Sequence, residues 1–140
     1  MRLEHVGIAV RDAEEALKTF EALLGKPRYK VEDVPSESVR THFFGANGVK
    51  IEILESLDPN SPVARFIRKR GEGLHHLAFS VQDLDATIER MRQLGFEIVG
   101  DGIRSGADEK RVFFIHPKSA NGVLIECCTD QNVVGESDDD

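Results

Sequence analysis

The sequence has no tryptophan, one tyrosine and only two cysteines among its 140 residues. Cys127 and Cys128 are neighbours, so on a strand their side chains would point to opposite faces, and a disulfide between them is not expected. Reduced thiols are typical of a cytosolic protein, and we expect a cytoplasmic location. The sequence also lacks an apolar run of about 18 residues, and its first residues lack a secretory leader pattern. No association with a membrane is therefore predicted.

Positive charge is also scarce. Lysine and arginine number 18 against 25 aspartate and glutamate residues, which gives a formal net charge of −7. A nucleic-acid-binding protein normally presents a basic face, so no nucleic-acid partner is expected. The length predicts one compact domain over residues 1–134. The acidic residues 135–140 have little to bury and are predicted to form a disordered tail.

The chain contains an internal repeat. The string HVGIAV recurs as HLAFSV, and NGVKIEIL recurs as NGVLIECC. His5 and His76 are 76 − 5 = 71 residues apart, while Glu52 and Glu126 are 126 − 52 = 74 residues apart. Each repeat therefore offers one strand with a histidine and one with a glutamate, at nearly the same internal spacing.

Each repeat predicts a βαβββ module. The modules span about residues 3–57 and 74–130 and are joined by a helix at about 61–70, which has proline at its first helical position. The predicted strands are 3–10, 29–34, 39–44 and 49–54 in the first module, and 75–81, 97–99, 112–115 and 123–128 in the second. A helix follows the first strand of each module. The predicted fold class is α+β, with two tandem modules forming a cup-shaped mixed sheet around a metal site.

Alternation along the strands predicts that site. The face that carries each histidine otherwise carries small residues, which are Gly7, Ala9, Ala78 and Ser80. Large apolar residues on the opposite faces would pack on the helices, so the histidine faces keep space for a ligand. The two glutamates likewise project from the strand face opposite to the apolar residues that face the core. We therefore predict that His5, Glu52, His76 and Glu126 hold a divalent metal ion, and nitrogen and oxygen donors exclude a soft thiolate site.

Three segments carry a resemblance to a known family. HVGIAV, SPVARFIRKRGEGLHHLAF and HPKSANGVLIE resemble the vicinal oxygen chelate (glyoxalase/bleomycin resistance/dioxygenase) superfamily and, within it, the methylmalonyl-CoA epimerase family, over roughly residues 3–128. The resemblance implies one divalent ion per chain (Co, Mn, Ni or Zn) on the residues matching His5, Glu52, His76 and Glu126. It also implies an acyl-CoA substrate, a homodimer and a place in propionate metabolism.

The implied activity is that of an isomerase, which interconverts (R)- and (S)-methylmalonyl-CoA. Loss of the C2 proton, which lies between a thioester and a carboxylate, gives an enolate that a metal ion stabilises, and inversion requires acid/base groups on both faces of C2. Glu126 and Glu52 are the predicted catalytic residues. Thr41 stands where some relatives carry a glutamate base, and together with Lys118 and Ser119 it is predicted to contact substrate.

Two other functions fit the same sequence. A glyoxalase I-like lactoylglutathione lyase shares the implied fold and a similar ligand set. A metal-free small-molecule binding protein of this fold is the other alternative, although four ligand-type residues count against it. The basic residues within 65–70 either bind the phosphates of a CoA tail or complement the helix dipole. Residues 106–109 read GADE where many relatives read GAHG, and we expect a different loop geometry there.

Overall fold

The computed structural model describes residues 1–130, so the predicted tail lies outside the described residues. The strands are β1 (Arg2–Val10), β2 (Lys30–Val34), β3 (Val39–Ala46), β4 (Val49–Ser56), β5 (Gly73–Ser80), β6 (Arg104–Ser105), β7 (Lys110–Ile115) and β8 (Ile125–Asp130). The helices are α1 (Ala13–Leu24), α2 (Pro62–Arg70) and α3 (Leu84–Gln93). The predicted α+β class and the two βαβββ modules are confirmed. None of the helices in the described chain is long and apolar enough to cross a membrane.

The chain groups into two compact units. We call residues 5–75 the first unit, and residues 76–130 together with residues 1–4 the second unit. The expected single domain over residues 1–134 remains a prediction.

In the first unit the strand order is β2–β3–β4–β1. β1 runs parallel to β4, whereas the other pairs are antiparallel. One face of this sheet packs on α1, where Val10, Phe44 and Ile53 are buried against apolar residues of the helix such as Phe20. Because side chains alternate along a strand, His5 lies on the opposite face.

Local signals fix the ends of these elements. The Asp12 side chain accepts a hydrogen bond from the Glu15 backbone N–H, 3.2 Å away, at the start of α1. Gly25 ends the helix at a φ of 72°, a left-handed conformation that glycine adopts without a steric cost. Asn47 and Gly48, also at positive φ, connect β3 to β4. These local signals account for both ends of α1 and for the hairpin turn.

In the second unit the strand order is β5–β8–β7–β6, with β5 parallel to β8. α3 covers one face of this sheet and buries its apolar side chains against the strands. The buried residues of this cluster are Leu84, Ile88, Met91, Phe113, Ile115 and Cys127. The histidine at position 76 is on the other face, as in the first unit.

The strand predicted at residues 97–99 is wrong, because the structure forms only a single bridge there. The segment at 97–99 pairs with β7 only through an isolated bridge between Ile98 and Ile115. The paired edge strand is instead β6, a few residues later. Gly100 and Gly102 have φ angles of 62° and 111°, so the chain turns away from β7 directly after the bridge.

Candidate metal and active site

The first unit brings His5 and Glu52 together. β1 and β4 are parallel neighbours in which Gly7 is the register partner of Glu52, and His5 lies two residues before Gly7 on the same face. His5 Nδ1 is 3.3 Å from Glu52 Oε2, and each side chain is only 5% exposed. The first unit therefore presents a buried imidazole facing a buried carboxylate.

The second unit repeats the construction with His76 and Glu126. β5 and β8 are parallel, and Ala78 is the register partner of Glu126. His76 Nε2 is 3.3 Å from Glu126 Oε1, with side chains 7% and 8% exposed. Ala9 and Ala78, which follow the histidines on these faces, have no exposed surface, so the predicted free space does not lie directly over them.

The chemistry of each pair fits a divalent ion. Imidazole nitrogen and carboxylate oxygen are ligands that several divalent ions accept. Two ligand atoms bonded to one ion at about 2.1 Å are roughly 3.0 to 3.4 Å apart, depending on the angle between the bonds. The 3.3 Å separation in each pair lies in that range. Each pair thus offers one nitrogen and one oxygen ligand atom at a spacing that suits coordination of one ion.

A phenylalanine lies directly opposite each glutamate. Phe43 is the register partner of Glu52, and Phe114 is the register partner of Glu126. The Phe114 ring meets the His76 ring edge to face, with centroids 6.1 Å apart. These two residues were not among the predicted site residues. The signal was present, however, because the dipeptide Phe-Phe occurs in both repeats.

A cation covers each of these rings. Lys30 Nζ is 5.2 Å from the centroid of Phe43, and the guanidinium carbon of Arg104 is 5.1 Å from the centroid of Phe114. Such contacts are worth about 0.5 to 2 kcal/mol, depending on solvation. They hold the rings beside the glutamates at a fixed orientation.

Thr41 lies on the same face as Glu52. It precedes Phe43 by two residues on β3, so both side chains point to the face that carries the glutamate. Thr41 is 1% exposed. Its predicted contact with substrate stays a prediction.

Lys118 and Ser119 form a short turn before β8. The Ser119 hydroxyl accepts a hydrogen bond from the Glu97 backbone N–H at 2.9 Å. Lys118 Nζ is 3.3 Å from Glu97 Oε1, and its side chain is 75% exposed. The Lys118 backbone N–H donates to Nδ1 of His116, which gives that histidine a structural role. These contacts position the turn, and its predicted contact with substrate stays a prediction.

The helix-facing side of the first unit contains a buried histidine that the sequence did not single out. His42 is 3% exposed, with Nδ1 2.6 Å from Arg28 Nη1 and Nε2 3.0 Å from Glu55 Oε1. A guanidinium can only donate, so Nδ1 accepts and Nε2–H donates to Glu55. The network is a structural one, since it lies on the face opposite Glu52.

The two cysteines occupy opposite faces of β8, as the alternation predicted. Both are free thiols, and Cys127 belongs to the cluster under α3. Burial, with a smaller contribution from the charge of Glu126, raises the pKa of the Cys127 thiol to about 11. Cys127 therefore stays protonated at neutral pH and is a poor nucleophile.

Two of the arginines on α2 contact the loop that precedes the helix. Arg65 Nη1 donates to the Asn60 carbonyl, and Arg68 Nη1 donates to the Pro59 carbonyl at 2.6 Å. Arg70 covers the Phe66 ring, with its guanidinium carbon 5.9 Å from the centroid. These contacts tie three of the basic residues to the local structure, and the two interpretations of the basic segment stay predictions.

The loop at 106–109 contains two consecutive non-glycine residues in the left-handed region. Asp108 and Glu109 have φ angles of 59° and 57°. A residue with a β-carbon pays about 1 to 2 kcal/mol in this conformation, and aspartate tolerates it better than glutamate. The backbone is therefore strained at the loop where the sequence predicted a different geometry.

Glu109→Gly is expected to stabilise the protein by about 0.5 to 1 kcal/mol, because relief of strain exceeds the entropy that glycine adds to the unfolded chain. Urea unfolding would measure the change. The matched control is Glu21→Gly in α1, which should lose about 1 kcal/mol. Equal destabilisation by both substitutions would contradict the strain at Glu109.

Comparison with known proteins shows the family. The family model described as glyoxalase/bleomycin resistance protein/dioxygenase superfamily matches residues 4–114. The chain is 38% identical over 127 residues to the ethylmalonyl-CoA/methylmalonyl-CoA epimerase of Cereibacter sphaeroides, covering 89% of this chain and 95% of the relative.

Two solved structures are similar along nearly the whole chain. The methylmalonyl-CoA epimerase of Mycobacterium tuberculosis has a TM-score of 0.86 at 37% identity, covering 92% of this chain and 87% of that one. A variant of the Streptomyces coelicolor methylmalonyl-CoA epimerase, in complex with 2-nitronate-propionyl-CoA, has a TM-score of 0.89 at 30% identity, covering 97% and 99%. The resemblance predicted from the sequence, including its epimerase branch, is confirmed. The chain belongs to the glyoxalase/bleomycin resistance protein/dioxygenase superfamily.

Proposed function

We propose that this protein is an isomerase that interconverts (R)- and (S)-methylmalonyl-CoA. The observation that carries the proposal is the pair of buried His–Glu couples at corresponding positions of the two units, His5 with Glu52 and His76 with Glu126. Relatives named for this activity, with 30–38% identity over nearly the whole chain, support it. The Streptomyces complex with an acyl-CoA analogue supports a CoA thioester as substrate.

The cofactor in this proposal is one divalent ion per chain, held jointly by His5, Glu52, His76 and Glu126. The donor set accepts Co, Mn, Ni or Zn and does not select among them. When bound, the ion supplies the positive charge that stabilises the enolate oxygens of a deprotonated malonyl thioester. The buried setting strengthens this effect, because charges attract more strongly where water is excluded.

The protein's own residues move the protons. Glu126 takes the C2 proton on one face of the substrate or returns it there, while it also serves as a ligand. The second acid/base group is expected from the first unit, where Glu52 is the candidate from sequence. Thr41, Lys118 and Ser119 are the proposed substrate contacts. Assembly as a homodimer, a cytoplasmic location and a role in propionate metabolism stay predictions.

Incubation in heavy water tests the function. Protein reconstituted with Co²⁺, Mn²⁺, Ni²⁺ or Zn²⁺ is mixed with (S)-methylmalonyl-CoA, and both epimer composition and deuterium at C2 are followed. We expect conversion to a mixture of epimers, with deuterium incorporated at C2. Absence of both inversion and exchange at every metal would refute the proposal. Turnover of a glutathione hemithioacetal instead would support the glyoxalase-like alternative.

A further inference from the structure

We infer that Glu32 is the second acid/base group, which acts on the face of C2 opposite to the face that Glu126 serves. The inference rests on the proposed epimerase function and names a residue for it. In one direction the Glu32 carboxylate takes the C2 proton as the C–H electron pair enters the enolate, and the carboxylic acid of Glu126 gives its proton to the other face. Proton exchange with water then restores the starting protonation of both carboxyl groups, and the reverse reaction uses the same two groups with their roles exchanged.

Strand register places Glu32 on the face of the first unit that carries Glu52. Glu32 on β2 is the register partner of Thr41 on β3. Phe43, two residues after Thr41, is the register partner of Glu52 on β4. Residues directly opposite one another share a face of the sheet, and so do residues two apart on one strand. Glu32, Thr41 and Glu52 therefore lie on one face.

The other strand carboxylates of residues 5–75 lie on the opposite face. Asp33 follows Glu32 directly and forms two hydrogen bonds with Arg40, at 2.7 and 3.2 Å. Glu55 bonds the buried His42. Glu32 and Glu52 are thus the two strand carboxylates of the first unit that face the same way as His5.

Exposure separates the two candidates. The Glu52 side chain is 5% exposed and faces His5 Nδ1 at 3.3 Å, an arrangement suited to a metal ligand. The Glu32 side chain is 29% exposed, so its carboxyl group can exchange a proton with water, and Lys30 Nζ lies 3.4 Å from its Oε1 and orients it. Thr41, at 1% exposed and with no group that ionises near neutral pH, cannot serve as the base. Glu32, the register partner of Thr41, has a longer side chain with a carboxyl group and can serve as the base.

The second unit has no carboxylate at the corresponding position. There Phe114 opposes Glu126, and Val112, two residues earlier, is paired with Arg104. A carboxylate in the first unit thus corresponds to a guanidinium in the second. The repeat is symmetrical in its His–Glu couples and asymmetrical at this strand position. Inversion of a single carbon by two different acid/base groups is consistent with that difference.

The inference is tested by measuring exchange of the C2 proton with heavy water separately for the two epimers. Glu32→Gln removes the ability to carry a proton and keeps the side-chain size. Epimerisation is expected to fall about 100-fold or more. One epimer should still exchange its C2 proton with heavy water at a rate near that of the unmodified protein, because Glu126 can take the proton and return a deuteron to the same face. The other epimer should not exchange.

Matched controls make each outcome decisive. Asp33→Asn changes the adjacent carboxylate on the opposite face and should leave epimerisation unchanged. Metal content and thermal midpoint should be retained in Glu32→Gln. Epimerisation within tenfold of the unmodified rate, or loss of exchange from both epimers in a folded, metal-loaded variant, would overturn the inference.

If Glu32→Gln does not fold, Glu32→Asp carries the test. Its epimerisation should be reduced while both epimers still exchange, and an unchanged epimerisation rate would overturn the inference. The two failures can be told apart. If the proposed function is wrong, the unmodified protein itself shows neither inversion nor exchange; if only the inference is wrong, the unmodified protein is active and the Glu32 variants give the contradicting results.

Discussion

His76→Ala is expected to abolish metal binding and, with it, epimerisation. The substitution removes the nitrogen that lies 3.3 Å from Glu126 Oε1, on a side chain that is only 7% exposed, and so deletes a buried ligand atom beside a buried carboxylate. Loss of residues that only support metal ligands costs about 10- to 100-fold in affinity, so loss of a ligand should cost about 100-fold or more. Metal content after dialysis, measured by mass spectrometry, would show the effect.

The neighbouring histidine provides the matched control. His75 packs edge to face on Phe66 of α2, with ring centroids 4.9 Å apart. His75→Ala should lower the free energy of unfolding by about 1 to 2 kcal/mol, through the lost ring contact and lost burial, and should retain the metal. Loss of metal from His75→Ala with retention in His76→Ala would mean that the assigned faces of β5 are reversed.

Glu126→Gln is expected to reduce epimerisation by about 100- to 10,000-fold, because an amide cannot take up or deliver the C2 proton. The amide oxygen can still approach a metal ion, so the loss should exceed any loss of metal. The measurement is the turnover rate at saturating metal, with bound metal determined in the same sample.

Asp130→Asn on the same strand is the control for that variant. Asp130 pairs with Lys110 and is 57% exposed, so its substitution should leave the rate unchanged. If Glu126→Gln keeps a rate within tenfold of the unmodified protein once it is metal-loaded, Glu126 is a ligand and not an acid/base group.

The strand faces could be predicted from the sequence because they depend on alternation alone. Apart from the histidines, large and small residues alternate in HVGIAV and HLAFSV, and the helix-facing clusters contain Ile8, Val10 and Val81. The turn residues Asn47 and Gly48 fixed the hairpin for a similarly local reason. These local rules were sufficient for the two modules and for the placement of each histidine and glutamate.

Features that depend on pairing between distant segments were not predicted. The short strand β6 forms where Arg104 finds its register partner on β7, and its two residues carry little periodic signal of their own. The contact of Arg28 with His42 joins a loop to a strand. The position of Glu32 opposite Thr41 likewise follows from the register between β2 and β3, which the sequence pattern of β2 alone does not fix.

The stoichiometry of metal binding tests the central claim most directly. If the two His–Glu couples hold one ion together, titration of the metal-free protein with Zn²⁺ or Co²⁺ should saturate at one ion per chain, and His5→Ala and His76→Ala should each eliminate that binding. Saturation at two ions per chain, with each variant losing one ion and keeping the other, would contradict the claim and show that the couples act as separate sites.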